Sequence, residues 1–231
     1  HISGLVLHST LSLLSSESRY NHCTIRVSST LLNYLSSISM INCEFIPEPT
    51  FLDRYSLQFN GGHLDSYLFK DCKFKGKCQL SNHNGFYSAT FSNCSFDDVY
   101  IQPNVGANAD DLILFENCDM NYTEANFMRY SPQAYTKGTY SQIKFDSCTI
   151  TNSNSKSTVF IYAYSKPNGY CYFNNCTITV PSTITIFDGY PTYLENIEDF
   201  TITFENSPLP SDVKLISDKF ATETSTKINI I

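Results

Sequence analysis

The chain has 231 residues, a formal net charge of -7, 42% hydrophobic residues and only 16% charged ones, a balance that excludes intrinsic disorder and suits one domain with a sizeable core. Nine Gly and nine Pro are too few for a fibrous or collagen-like chain. The scattered Lys and Arg give no basic face for nucleic acid, and no stretch approaches the roughly 18 apolar residues of a membrane helix, so neither a nucleic-acid partner nor membrane insertion is expected.

Residues 1–18 open on an apolar stretch from His1 to Leu14. It has no basic leader and no small-residue cleavage pattern, so it does not read as a signal peptide. This segment is expected to be an incoming coil or a cap. With no initiator Met, the chain is expected to be a fragment or a mature piece of something longer.

From 19 to 210 one short unit recurs. Its copies are RYNHCTI at 19–25, SMINCEF at 39–45, LFKDCKF at 68–74, TFSNCSF at 90–96, LFENCDM at 114–120, KFDSCTI at 144–150, YFNNCTI at 172–178 and a degenerate TFENSPL at 203–209. The Cys positions are 23, 43, 72, 94, 118, 148 and 176, with Ser207 in the eighth copy. The steps between them run from 20 to 31 residues. A constant rung with loops of varying length is the signature of a solenoid.

Each copy explains itself physically. Three residues before the Cys stands Tyr20, Met40, Phe69, Phe91, Phe115, Phe145, Phe173 or Phe204. Two residues after it stands Ile25, Phe45, Phe74, Phe96, Met120, Ile150, Ile178 or Leu209. Cys and the second apolar residue are two apart, so they share one face of a strand. Cys is also small and readily buried. Just before it come His22, Asn42, Asp71, Asn93, Asn117, Ser147, Asn175 and Asn206. Asn and Asp tolerate left-handed backbone, which suits a sharp bend. The unit therefore reads as strand, turn, strand.

Further β-rich runs lie at 158–164, 183–187 and 200–204, with β-branched and aromatic residues dominant. No segment sustains the three-and-four spacing of a helix. The tail, 211–231, ends in a strand-like run at 227–231 and is expected to cap the open end. The fold class is all-β: a single-stranded right-handed parallel β-helix of about eight coils, one domain over 1–231.

The ladder resembles the pectate-lyase-like superfamily of right-handed parallel β-helices, including phage tail-spike-type β-helices, over roughly residues 19–209. The resemblance implies stacked parallel coils and a polysaccharide partner. Lyases and polygalacturonases of that superfamily carry Asp-rich or Arg-containing motifs beside their sites. None matches here residue by residue, so no catalytic residue is carried over.

The nine cysteines are expected to be free buried thiols. Their spacing is that of a rung, and neighbouring rungs about 4.8 Å apart need not align sulfurs for a bridge. Cys78 and Cys171 fall outside the column. The absence of a Cys-x-x-Cys pair argues against zinc, and neither metal nor cofactor is expected. His22 and Cys23, adjacent on a strand, point to opposite faces, which argues against a catalytic thiol.

Cleavage of a polysaccharide needs carboxylates at a set separation or, for elimination, a base and often Ca²⁺ held by several carboxylates. The catalytic candidates are Asp97, Asp98, Asp110 and Asp111, with Asp53 and Asp65 as a further pair; solvated turn acids are the plainer reading. His63 and His83, in neighbouring coils with Asp65 near, are a candidate base pair; two loop histidines near Gly61, Gly62 and Gly85 are the plainer reading. In 158–164, inward Val159, Ile161 and Ala163 would leave Phe160, Tyr162 and Tyr164 as an outward aromatic stripe; the opposite phase would bury it. Such a stripe suits sugar stacking or a subunit interface. Sequons at Asn93, Asn121 and Asn175 read as accidents of the repeat.

Three functions fit. The first is a polysaccharide-contacting phage tail spike or surface spike, located on a virion tail or cell surface. The second is a secreted polysaccharide lyase or glycoside hydrolase. The third is a non-enzymatic structural or adhesive shaft. A homotrimer is a natural assembly for such a stack.

Overall fold

A computed structural model describes residues 2–9, 18–27, 31–33, 38–47, 57–60, 66–81, 88–102, 112–130, 140–154, 156–163, 168–189, 200–218 and 227–231. Among these residues there are strands and turns and no helix. Every strand pair is parallel, as in Phe91↔Phe115 and Phe145↔Phe173. The chain is a parallel β-helix.

The first sheet has ten strands: Ile2–Ser3, Ser18–Asn21, Ile38–Ile41, Ser66–Lys70, Ser88–Ser92, Leu112–Glu116, Tyr140–Asp146, Asn168–Asn174, Phe200–Glu205 and Lys227–Ile230. The eight Cys- or Ser-centred copies form its second to ninth rungs. Two further rungs lie beyond them. At the start, Ile2 pairs with Tyr20 and Val6 with Thr24, which sets Gly4 beside His22 and Leu5 beside Cys23. At the end, Thr201 pairs with Lys227 and Phe204 with Ile230.

The turn in each copy is left-handed. His22, Asn42, Asp71, Asn93, Asn117, Ser147, Asn175 and Asn206 all have φ between 46° and 55°, and Gly4 has φ 68°. Backbone amides in these turns stay paired. The Asn117 N–H donates to Asp146 O at 2.9 Å and the Asp119 N–H to Cys94 O at 2.9 Å. Each bend is therefore hydrogen-bonded to the rungs above and below it, which answers the demand that buried backbone be satisfied.

Inside, the residues three before each column Cys or Ser form a column, aromatic throughout from Phe69 to Phe204. Ring centroids are 4.9 Å apart for Phe69–Phe91, Phe91–Phe115 and Phe115–Phe145, 4.7 Å for Phe145–Phe173 and 4.8 Å for Phe173–Phe204. The rung spacing itself imposes this stacking. A second column, Phe45–Phe74–Phe96, runs at 4.6 Å and meets the first edge-on, as in Phe74–Phe91 at 6.0 Å. Aromatic pairs of this kind add about 0.5–1.5 kcal/mol each beyond area burial.

The second sheet changes shape midway. Strand Ser95–Gln102 is a single run of eight residues. In the next coil its counterpart splits into Asp119–Tyr122 and Met128–Tyr130. The later coils keep the split, as Thr149–Asn152 with Val159–Ala163 and Thr177–Thr179 with Thr185–Gly189. At the new corner two successive residues point inward: Phe127 with Met128, Phe160 with Ile161, and Ile186 with Phe187 are all buried. A bending chain presents neighbours to the same side, which strict strand alternation forbids.

Candidate functional site

Asp97 and Asp98 lie beside a β-bulge, where Lys73–Ser81 carries an extra residue between Phe74 and Lys77 and Gly76 supplies φ 73°. The two acids do not converge. Asp97 is exposed, and its backbone carbonyl accepts the Asn121 Nδ2 at 3.0 Å. Asp98 is half-buried and clamps the following coil: Oδ1 accepts the Thr123 N–H at 2.9 Å and Oδ2 the Thr123 hydroxyl at 2.6 Å. Asp110, Asp111, His63, His83, Tyr164, Asp53 and Asp65 lie outside the described residues.

The outward stripe expected from Phe160, Tyr162 and Tyr164 is corrected at its first member. Phe160 is 0% exposed. It stacks on Phe127 at 5.1 Å and packs against Phe173 at 5.6 Å. The reason is the corner: Val159, Phe160 and Ile161 are buried in succession. Tyr162 is half-buried and points outward, between Arg129 and Asp188 of the neighbouring rungs.

The aromatic pair that does face outward is Tyr170 and Tyr172, on the first sheet. Strand Asn168–Asn174 buries Cys171 and Phe173 and leaves Tyr170, Tyr172 and Asn174 half-buried on the other side. One rung below, Gln142, Lys144 and Asp146 stand opposite them; one rung above stand Thr201, Thr203 and Glu205. The signal was present in the sequence. Counting back from Cys176 past the turn residue Asn175, odd offsets hold the inward residues and even offsets the outward ones.

This face is cross-linked. The Tyr170 hydroxyl donates to Gln142 Oε1 at 2.7 Å. The Lys144 Nζ lies 5.8 Å from the Tyr172 ring centroid and 3.1 Å from Asp146 Oδ2. Asp146 Oδ1 accepts the Asn174 amide at 3.0 Å and the Ser147 hydroxyl at 3.2 Å. Partial burial acts to raise the Asp146 carboxyl, but the Lys144 ammonium, the Asn174 amide and the Ser147 hydroxyl outweigh it and hold it below the ordinary carboxylate range. Glu116 and Glu205 continue the same outward column on either side. Two phenol rings on one strand, roughly 7 Å apart along it by strand rise, can stack on a ring-shaped ligand. The surrounding amide, hydroxyl and carboxylate groups can hydrogen-bond hydroxyls.

All nine cysteines are free and buried. The column thiols donate to backbone carbonyls, most of them to two: Cys118, for example, to Phe91 O and Glu116 O, both at 3.4 Å. Cys78 and Cys171 sit elsewhere in the core, where burial pushes both thiols up. Among the described residues no group of three or more His, Cys, Asp or Glu converges on a metal position, and no helix is long and apolar enough to cross a membrane.

Stacked parallel rungs with a left-handed turn before each column Cys define the class, a parallel β-helix. No family model, curated protein or solved structure matches the chain.

Proposed function

We infer that this chain is the polysaccharide-contacting shaft of a spike-type protein, and that it meets its glycan on the outward face of the first sheet around Tyr170 and Tyr172. The observation that carries this reading is the aromatic pair itself, presented on a flat strand face beside Gln142, Lys144, Asp146 and Asn174. Aromatic faces framed by hydrogen-bonding groups are what a sugar ring and its hydroxyls require.

Placement on a virion tail or a cell surface is part of the same reading, as is a kinship with pectate-lyase-like and tail-spike β-helices. Its support is the stiff stack of rungs and a core of nine free thiols, which suits a chain folded in a reducing compartment before assembly. Recognition is favoured over cleavage by two facts. Both carboxylate oxygens of Asp98 are engaged by Thr123. The Asp146 carboxyl is held low, whereas a general acid needs its pKa raised.

The test is retention of the purified chain on immobilised bacterial capsular, O-antigen and plant polysaccharides, with reducing ends and unsaturated products followed in parallel. Retention that a Tyr170→Ala, Tyr172→Ala double variant abolishes, while Tyr162→Ala leaves it intact, supports the reading. Released reducing ends or unsaturated sugars would make the chain a hydrolase or a lyase. Neither retention nor product would leave a structural or adhesive shaft.

A further inference from the structure

The charges around the tyrosine pair bear on which glycans this face accepts, a question that rests on the reading just given. Among the described residues, the ionised groups of the surrounding rungs are Glu116, Lys144, Asp146, Glu205 and Lys227, all on outward positions of the first sheet. Lys144 is already committed: it bonds Asp146 at 3.1 Å while lying 5.8 Å from the Tyr172 centroid. Glu116 and Glu205 flank the pair from below and above, in the column that also holds Asp146 and Asn174. Lys227 stands at the far end of the column that holds Gln142, Tyr170 and Thr201.

A uronic-acid polymer laid on the two rings would bring its carboxylates against this column. Like charges a few ångströms apart at a protein surface repel one another. The chain's net charge of -7 adds a long-range repulsion to the encounter. Among the described residues, the one cation beside the tyrosines on neighbouring rungs is Lys144, which is already bonded to Asp146. A polycation is drawn towards Glu116 and Glu205, but Asp146, the central carboxylate, is already held by Lys144, Asn174 and Ser147 and offers it no free partner beside the rings. The nearest groups are neutral hydrogen-bonders: the Tyr170 hydroxyl, the Gln142 and Asn174 amides, and the hydroxyls of Thr201 and Thr203. They match sugar hydroxyls.

We propose that the first-sheet face around Tyr170 and Tyr172 selects an uncharged polysaccharide and rejects polyuronates. Binding of this kind is insensitive to salt, because no counterions are released.

The experiment is affinity electrophoresis of the full chain through gels containing dextran, galactomannan, polygalacturonate, alginate or chitosan, at low and at high salt, with sedimentation velocity alongside. The expected result is retardation by at least one neutral polymer, unchanged by salt, with binding weakened about tenfold or more by Tyr172→Ala. Tyr170→Phe, which removes only the hydroxyl, is a milder variant that keeps the test valid if Tyr172→Ala misfolds. The Glu116→Gln, Glu205→Gln double variant should gain binding to polygalacturonate. Preference of the unmodified chain for polygalacturonate, alginate or chitosan overturns the charge selection and leaves the polysaccharide reading standing. No retardation by any polymer overturns both. An oligomer that dissociates on Tyr172→Ala makes the face an interface between copies of this chain and overturns the proposal.

Discussion

The Ser207 hydroxyl accepts the Cys176 N–H at 2.8 Å and donates to Glu205 O at 2.9 Å. The thiols of the preceding rungs play the same part. Cys148, for instance, accepts the Cys118 N–H and donates to Phe115 O and Asp146 O, both at 3.4 Å. The Cys column is thus a ladder of side chains that satisfy buried turn amides, and one hydroxyl already stands in it. Cys148→Ser is expected to stay within about 1 kcal/mol of the unmodified chain, whereas Cys148→Ala, which strands the Cys118 amide, should cost about 1–3 kcal/mol. Urea denaturation measures both. Equal stability of the Ser and Ala variants would mean that the column serves only to fill space.

The residue before each column Cys or Ser is governed first by its left-handed backbone. Asn117, at φ 50°, sits where L-residues pay about 1–2 kcal/mol unless they are Asn, Asp or Gly. Asn117→Gly should be near neutral, and Asn117→Val should cost at least about 2 kcal/mol, since a β-branched residue is a true outlier there. Thermal melting of the two variants decides the point. A Val variant as stable as the Gly variant would refute the left-handed turn.

This turn is also why so much of the fold was legible in the sequence. The apolar, polar, polar, Cys order encodes a strand, a bend and a second strand in seven residues, and repetition fixes the register. The first rung was legible only as an incoming coil or a cap, because Gly4 and Leu5 stand where the other rungs carry the polar residue and the Cys. The last rung, Lys227–Ile230, carries no Cys. The phase of 158–164 stayed open for a different reason. At 159–163 a corner makes Phe160 and Ile161 both inward. On the first sheet the turn before Cys176 fixes the phase, and Tyr170 and Tyr172 fall outward. Corners depend on the coil's path around the core, which no local pattern states.

The Lys144–Asp146 pair gives a pH prediction. The folded-state carboxyl ionises below its ordinary range. Its contribution to stability is therefore complete above the ordinary Asp value of about 3.9 and is lost as pH falls through the folded-state value. The pair is solvent-exposed in part, with side-chain exposures of 33% and 28%, so screening limits the contribution to a few tenths of a kcal/mol. The sharper readout is spectroscopic. Lys144→Met should move the Asp146 carboxyl titration upward in an NMR pH series. A titration that does not move would show that the Asn174 and Ser147 hydrogen bonds alone hold the carboxylate.

Asp97 and Asp98 are adjacent in sequence and opposite in consequence. Asp98 holds Thr123 by both its amide and its hydroxyl, at the point where the second sheet splits and four residues before the buried Phe127. Asp98→Ala should cost about 1–3 kcal/mol, because it strips a charged acceptor from a partly buried amide. Thr123→Val should cost less, since the backbone N–H keeps its partner, and the two changes should couple by about 0.5 kcal/mol or more in a double-mutant cycle. Asp97→Ala, an exposed change away from any such clamp, should stay within about 0.5 kcal/mol. Equal losses for Asp97→Ala and Asp98→Ala in chemical denaturation would contradict the clamp. They would instead tie the stability of this coil to the local charge that the two carboxylates share near Lys75 and Lys77.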